Sequence, residues 1–378
     1  MRIIKLLCVI LFTNGLFAQV SFTESSASQN ITVSHGTNSF FGGISFFDFN
    51  NDGWDDLTFT SQDGDPLYFY QNNSGTLNLI SLNITDYQND TRQINWVDID
   101  NDGDNDLFIV SNNASNRLYL NDGDMNFTDI TVSSGITTET MKSWGGAWGD
   151  YNNDGYLDLF LSNRDIVNRD YPNLLYKNNG DNTFTDVSNL VGISNVNHIS
   201  FCASFFDFNN DGWQDIYIIN DRYNTSNIMY KNNGNGTFTD VSAASGTNIS
   251  IDAMSSAIGD YNNDGWLDIY VTNTTLGNYF LKNNGNETFT NVADTNGTFF
   301  NSFGWGAVFL DADNDTDLDL YVSGMQDGTS NGRLPSAFYE NRGDGNFLIP
   351  SGVGFANDIA ESYSNAIGDI NNDGISTD

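Results

Sequence analysis

The chain has 378 residues and a formal net charge of −36, from 49 acidic against 13 basic side chains, with two cysteines. That balance excludes a nucleic-acid binder that works by neutralising phosphates with a basic patch, and two cysteines exclude a disulfide scaffold. The length suits one large domain or two ordinary ones.

Residues 1–18 read as a secretory signal. Arg2 and Lys5 make a basic start, residues 6–12 form an apolar run, and Gly15 and Ala18 place small residues before Gln19. The run is too short for a transmembrane helix and no later stretch is long enough, so a secreted or cell-surface protein is expected. Cys8 leaves with the signal, and Cys202 lies in an apolar strand context, as a small core residue does.

Residues 19–378 carry one pattern seven times, starting at Asp48, Asp98, Asp150, Asp207, Asp260, Asp311 and Asp369, with gaps of 50, 52, 57, 53, 51 and 58 residues. The fifth reads D-x-N-x-D-G-x-x-D. Oxygen side chains fall at positions 1, 3, 5 and 9, position 7 can offer its backbone carbonyl, and a glycine at position 6 permits the sharp turn. A hard cation that takes six to eight oxygens needs such a curled loop. The expected ligand sets are Asp48, Asn50, Asp52, Trp54 and Asp56; Asp98, Asp100, Asp102, Asp104 and Asp106; Asp150, Asn152, Asp154, Tyr156 and Asp158. They continue with Asp207, Asn209, Asp211, Trp213 and Asp215; Asp260, Asn262, Asp264, Trp266 and Asp268; Asp311, Asp313, Asp315, Asp317 and Asp319. The seventh is Asp369, Asn371 and Asp373, with Thr377 at position 9 and Asp378 one residue late. In the sixth, Thr316 replaces the glycine.

An EF-hand is excluded, because position 12 holds Leu161 in the third loop and Val271 in the fifth where a bidentate Glu is required. Magnesium is disfavoured by a carboxylate-rich, many-ligand cage. Up to seven structural calcium ions are expected, which would bring −36 to about −22. The tryptophans at position 7 read as packing pieces between blades, and Asp104 and Asp317 as side chains pointing to solvent.

A period near 50 signals a solenoid or propeller. In residues 143–188, a small and aromatic stretch (144–150) suits a strand near a crowded axis, and the loop follows. Residues 157–161, 173–177 and 183–187 read as three further strands, the last two joined by a tight turn at Asn178-Asn-Gly180. Four short antiparallel strands repeated seven times predict an all-β, seven-bladed propeller. Val20-Ser-Phe-Thr-Glu24 matches a fourth strand with nothing before it, and Asn365-Ala-Ile-Gly-Asp369 a first strand with nothing after it. The two are expected to share the last blade, left incomplete by a truncated sequence.

These residues resemble the FG-GAP, or VCBS, repeat of integrin α-chain propellers, with Phe40-Phe-Gly-Gly43 and Phe303-Gly-Trp-Gly-Ala307 as the naming elements. Runs such as residues 178–187 are similar to the secreted bacterial branch, near the cartilage-acidic-protein-like group. The resemblance implies calcium loops on one face, ligand binding mostly on the other, and in that group often a further C-terminal domain.

Arg164, Arg169, Arg222 and Arg333, half of the chain's eight arginines, fall in the loops between second and third strands, beside Tyr171 and Tyr223. On that rim they are candidates to meet an anionic ligand, with ordinary loop solvation as the alternative. Arg342-Gly-Asp344 sits at a strand turn and reads as turn chemistry. His35 and His198, the only histidines, support no catalytic set. The expected function is a secreted, calcium-binding adhesion module for a protein or glycan, more plausibly not an enzyme. A glycan-binding lectin is the alternative, then a polysaccharide lyase or hydrolase using Tyr171 with Arg169 or Tyr223 with Arg222.

Overall fold

The computed structural model describes residues 20–33, 42–61, 65–84, 89–193, 198–324, 333–354 and 362–374. The signal segment, His35, and Thr377 with Asp378 lie outside the described residues.

The blades form in chain order. The first is β1 (Ile44–Phe47), β2 (Asp56–Phe59), β3 (Tyr68–Asn72) and β4 (Leu77–Ile80); the second is β5 (Thr91–Val97), β6 (Asp106–Ser111), β7 (Arg117–Asn121) and β8 (Phe127–Asp129). The third is β9 (Ser143–Gly149), β10 (Asp158–Asn163), β11 (Leu174–Asn178) and β12 (Phe184–Asp186); the fourth is β13 (Ser200–Phe206), β14 (Asp215–Asn220), β15 (Ile228–Asn232) and β16 (Phe238–Asp240). The fifth is β17 (Ser256–Gly259), β18 (Asp268–Val271), β19 (Tyr279–Asn283) and β20 (Phe289–Asn291); the sixth is β21 (Gly304–Leu310), β22 (Asp319–Gly324), β23 (Ala337–Asn341) and β24 (Phe347–Leu348). Each sheet is an antiparallel meander in sequence order. Single helical turns follow three of them, at α1 (Thr131–Ser134), α2 (Ser242–Ser245) and α3 (Ala293–Asn296).

The burial of each strand follows from its place in the blade. Second strands are β-branched and aromatic and buried along their whole length, as in Asp215–Asn220, because both sheet faces meet a neighbouring blade. The fourth strands of the second to fifth blades bury only their leading Phe, as at Phe238, and expose the next two residues. First strands carry small residues where adjacent blades converge on the axis. A Cβ at Gly149 would come within 2.5 Å of the Phe205 ring of the next blade.

The apolar core is therefore a set of layers, most of them shared by two successive blades. Phe108, Val110, Leu159 and Leu161 join the second blade to the third. Phe160, Leu175, Ile216 and Ile218 join the third to the fourth. Tyr270, Phe280, Leu320 and Tyr339 do the same for the fifth and sixth.

Six four-stranded sheets are present among the described residues, which corrects the seven-bladed expectation to a six-bladed propeller. The reason is that loop motifs and blades are different counts: among the described residues the Asp369 loop belongs to no four-stranded sheet. Residues 362–374 instead form a seam between the sixth blade and the first. Ile367 packs in the sixth-blade cluster with Val20 and Phe338, and Ile370 packs in the first-blade cluster with Tyr70 and Leu77. Ser362 N–H donates to the Gly324 carbonyl at 3.0 Å, and Gly368 lies so close to Phe46 that a Cβ would sit 1.9 Å from its ring. Val20 and Phe22 do not join residues 365–369 in a shared sheet. Phe22 N–H donates to the Val353 carbonyl at 2.8 Å and its ring meets Phe338 edge-on at 5.2 Å.

Replacing Gly149 by Val forces three heavy atoms into the Phe205 contact. The variant is expected to lose about 3 kcal/mol of stability, read as a lowered midpoint in urea unfolding; an unchanged midpoint refutes the close approach of first strands.

Candidate functional site

The loops between first and second strands repeat one geometry, built on the aspartate at position 9. In the third loop, buried Asp158 opens β10 and accepts from Tyr151 N–H at 3.2 Å and from Asn178 N–H, the last residue of β11, at 2.8 Å. The same two bonds hold Asp56, Asp106, Asp215 and Asp319. Asn178 completes the joint. Its Nδ2 donates to the Leu157 carbonyl of its own loop (3.2 Å) and to the Ile99 carbonyl of the preceding blade's loop (2.8 Å). Asn232, Asn283 and Asn341 bridge loops in the same way, and Asn72 reaches the Ile370 carbonyl of the seam at 2.8 Å. Sequence reasoning read Asn178 as a turn residue and passed over its counterparts. Their recurrence at the end of every third strand was the available signal.

The rest of the loop curls around the carboxylates. Asp150 accepts from Asp154 N–H at 3.1 Å and Gly155 N–H at 2.8 Å, Asn152 Oδ1 accepts from Asp154 N–H at 2.9 Å, and Asp154 accepts from Tyr156 N–H at 3.2 Å. The loops opened by Asp48, Asp207 and Asp260 repeat this set, and Asp369 keeps its part of it. At Thr316 the turn keeps the same bond to Asp311 (2.9 Å), with a β-branched residue held at φ 77°.

Neighbouring loops are clasped to one another. The asparagine at position 4 donates to the position-6 carbonyl of the next loop: Asn51 to Gly103 and Asn101 to Gly155 at 2.8 Å, Asn153 to Gly212 at 3.1 Å, Asn210 to Gly265 at 3.0 Å. Asn263 turns to Asp317 Oδ1 at 2.8 Å, and Asn372 of the seam donates to Gly53 at 3.1 Å. Glu287, from the fifth blade, accepts from Asn209 Nδ2 at 3.2 Å and pairs with Lys231, so it fixes the amide of a fourth-loop donor from across the blade boundary.

The donor set fits calcium. Asp98, Asp100 and Asp106 each bring an oxygen within 4.8 Å of the others, as do Asp311, Asp313 and Asp315. Oxygens about 2.3–2.6 Å from one ion span such a group. One oxygen each of Asp100, Asp268 and Asp313 is buried without a hydrogen-bond partner, a state a cation would relieve. Burial, reinforced by the other loop carboxylates and only partly offset by the backbone N–H groups, pushes Asp56, Asp106, Asp158, Asp215, Asp268 and Asp319 up to about 7.

Five of the position-7 side chains pack on the last turn of their own blade, and Asp317 also accepts from Asn263 of the preceding loop. Trp213, Trp266 and Tyr156 cover Gly234, Gly285 and Gly180 of their own blade's last turn, and Asp104 and Asp317 approach Gly123 and Gly343 likewise.

On the opposite rim the arginine group divides. Arg164 is buried: it pairs with Asp221 through Nε at 3.2 Å and through Nη2, and lies over Trp144 and Phe201 at 4.7 and 4.4 Å. Arg92 covers Trp144 at 4.4 Å, Phe201 meets Trp305 at 6.0 Å, and Trp305 meets Tyr363 at 5.4 Å. These residues form an aromatic and guanidinium cluster near the axis, so Arg164 is removed from the ligand rim by burial. Tyr171 packs beside Lys142, 5.9 Å from its ring, and Arg333 precedes β23; neither lines the cleft described next. Arg169, Arg222 and Tyr223 do come together, lining an open cleft of about 450 Å³ with Ile166 and Asp252. Cys202 is core-facing, its thiol pushed up to about 11 by burial.

Blades and loops together define a propeller made of repeated oxygen-donor units. Residues 48–109, 98–161, 165–218, 207–271 and 260–322 match the FG-GAP-like repeat, and the chain belongs to that family. Human cartilage acidic protein 1 is 24% identical over 173 residues, covering 44% of this chain and 26% of the human protein. The Xenopus tropicalis protein of that name is 32% identical over 88 residues, 23% of this chain and 13% of the relative. The matches thus take in about a quarter or less of the relatives' own length. The crystal structure of BBS1N in complex with ARL6DN aligns with a TM-score of 0.50 at 9% identity over 84% of each chain, a likeness of fold alone. No helix among the described residues is long and apolar enough to cross a membrane.

Three outcomes follow for the loops. Asn178→Ala leaves two buried carbonyls without a donor and is expected to cost about 2–4 kcal/mol in chemical unfolding; no loss refutes the bridge. Thr316→Gly relieves a left-handed β-branched residue and is expected to gain about 1 kcal/mol, against a loss if the loop takes another conformation. Carboxyls raised from 3.8 to about 7 on folding bind more protons in the folded state. Metal-free protein should therefore gain stability as pH falls from about 7 toward 4, whereas metal-loaded protein loses it as protons displace the ions. Parallel melting curves at pH 7.5 and 5 check the opposite signs.

Proposed function

We propose that the chain is an extracellular binding module, a propeller made rigid by calcium in its first-to-second-strand loops and presenting a protein or glycan ligand site on the other rim. The observation that carries the metal reading is the repetition: loops from six blades and the seam place carboxylates around the same turn, with a buried aspartate at the base of each blade's loop. Membership of the FG-GAP-like repeat family supports a binding module, and the open cleft at Arg169 and Arg222 supports the rim. Calcium here acts structurally. Each ion ties the end of a first strand to the start of the second and neutralises a carboxylate that burial would otherwise hold partly protonated.

An ion that binds only the folded state at a hundred times its Kd contributes about 2.7 kcal/mol per site. Several sites together predict a melting temperature lower by at least about 10 °C in EGTA than in millimolar calcium. Coincident melting curves with and without chelator would refute the calcium reading.

A further inference from the structure

The cleft between the second-to-third-strand loops of the third and fourth blades has features that loop solvation does not explain. Arg169 and Arg222 both hold left-handed backbones, at φ 57° and 78°. For a side chain without glycine's freedom this costs about 1–2 kcal/mol, and strain of this kind gathers at binding sites. Their guanidiniums are incompletely matched. Arg222 Nε shares Asp221, at 3.4 Å, with buried Arg164, and the Arg222 side chain is half exposed. Arg169 donates only to the neutral Asn224 Oδ1 at 3.2 Å and has no carboxylate partner among the described residues. Asp252 lies in the same lining beside Arg222 and Tyr223 and is half-buried, a carboxylate acceptor at the wall of the cleft. Tyr223 and Ile166 are about half exposed beside it, giving an apolar floor.

The ligand that answers these groups carries an anion for two guanidiniums, a hydroxyl donor for Asp252 and a ring face for the floor. A carboxylate alone, as on a glutamate side chain, leaves Asp252 unanswered. The acidity of the rest of the chain disfavours a densely charged polyanion and favours a sparsely charged glycan. We propose that this cleft binds a hexuronate residue of a glycan, its carboxylate between Arg169 and Arg222, a hydroxyl donating to Asp252, and its ring on Tyr223 and Ile166. The proposal deepens the binding-module reading and rests on it.

The test is calorimetric titration of the calcium-loaded full chain, at fixed free calcium, with a glucuronate-bearing tetrasaccharide, its carboxyl-reduced counterpart and tetraglutamate. Saturable binding to the uronate is expected, weaker by at least about tenfold for the reduced sugar and for Arg169→Gln or Arg222→Gln, as loss of a charge-assisted pair implies. Asp252→Asn should weaken binding several-fold, and Arg342→Gln, on a distant turn, should leave it unchanged. Near-ultraviolet circular dichroism of each variant shows whether it is folded. Absence of uronate binding by folded protein, equal binding of the reduced sugar, equal binding of tetraglutamate, or undiminished binding by both arginine variants overturns the assignment. An EGTA melting curve on the same preparation separates the two readings. Calcium-dependent folding without uronate binding overturns the cleft alone, and uronate binding with a chelator-insensitive fold overturns the calcium reading alone.

Discussion

A carboxylate sealed from water at the root of each blade is the constraint on which this propeller depends. Asp158 and its counterparts start the second strand, hold the loop's second residue by its N–H, and hold the end of the third strand by another. Three chain segments converge on two oxygens. The arrangement fixes the register of the inner part of the sheet, and it leaves a charge in a place where charge is costly. Two backbone hydrogen bonds moderate that cost without removing it. The remaining loop oxygens crowd around the same turn, so the cost of the buried charge and the architecture of the blade are one feature.

The second level of organisation runs around the ring. Apolar layers are shared between successive blades, and at the seam the outer faces of the first and sixth blades are covered by the terminal segments. The position-4 asparagines and the bridging asparagines at the third-strand ends stitch one loop to the next. Glu287 and Asn209 add a polar joint between the fourth and fifth blades. Displacement of one loop is therefore felt by its neighbours through short hydrogen bonds and not only through the bulk of the sheets.

Much of this was legible in the sequence, because a repeat exposes its own period. The loop composition, the four-strand unit and the small residues of the first strand could all be read from residues 143–188. Three things could not. The number of blades was overcounted, since a loop motif does not by itself mark a blade and the Asp369 loop lies outside the six described sheets. The burial of Arg164 was invisible because sequence order does not show distance from the axis: it follows β10 directly and falls against Trp144 and Phe201, whereas Arg169, five positions on, reaches the open cleft. The bridging asparagines were hidden by their neighbours, because Asn-Asn-Gly is so good a turn that its first member's second task is masked.

The seam has a mechanical consequence. Six boundaries of a closed ring can share load only while every one of them holds, and here the join between the sixth blade and the first is made by two extended segments, residues 20–33 and 362–374, in place of a direct blade-on-blade layer. Val20 and Phe22 pack against the sixth blade, and residues 368–372 rest on the first. Both described ends of the chain thus arrive at the same join. Tension delivered through either end is applied there first, which makes this seam the natural point of rupture and the sheets behind it the part that stays intact.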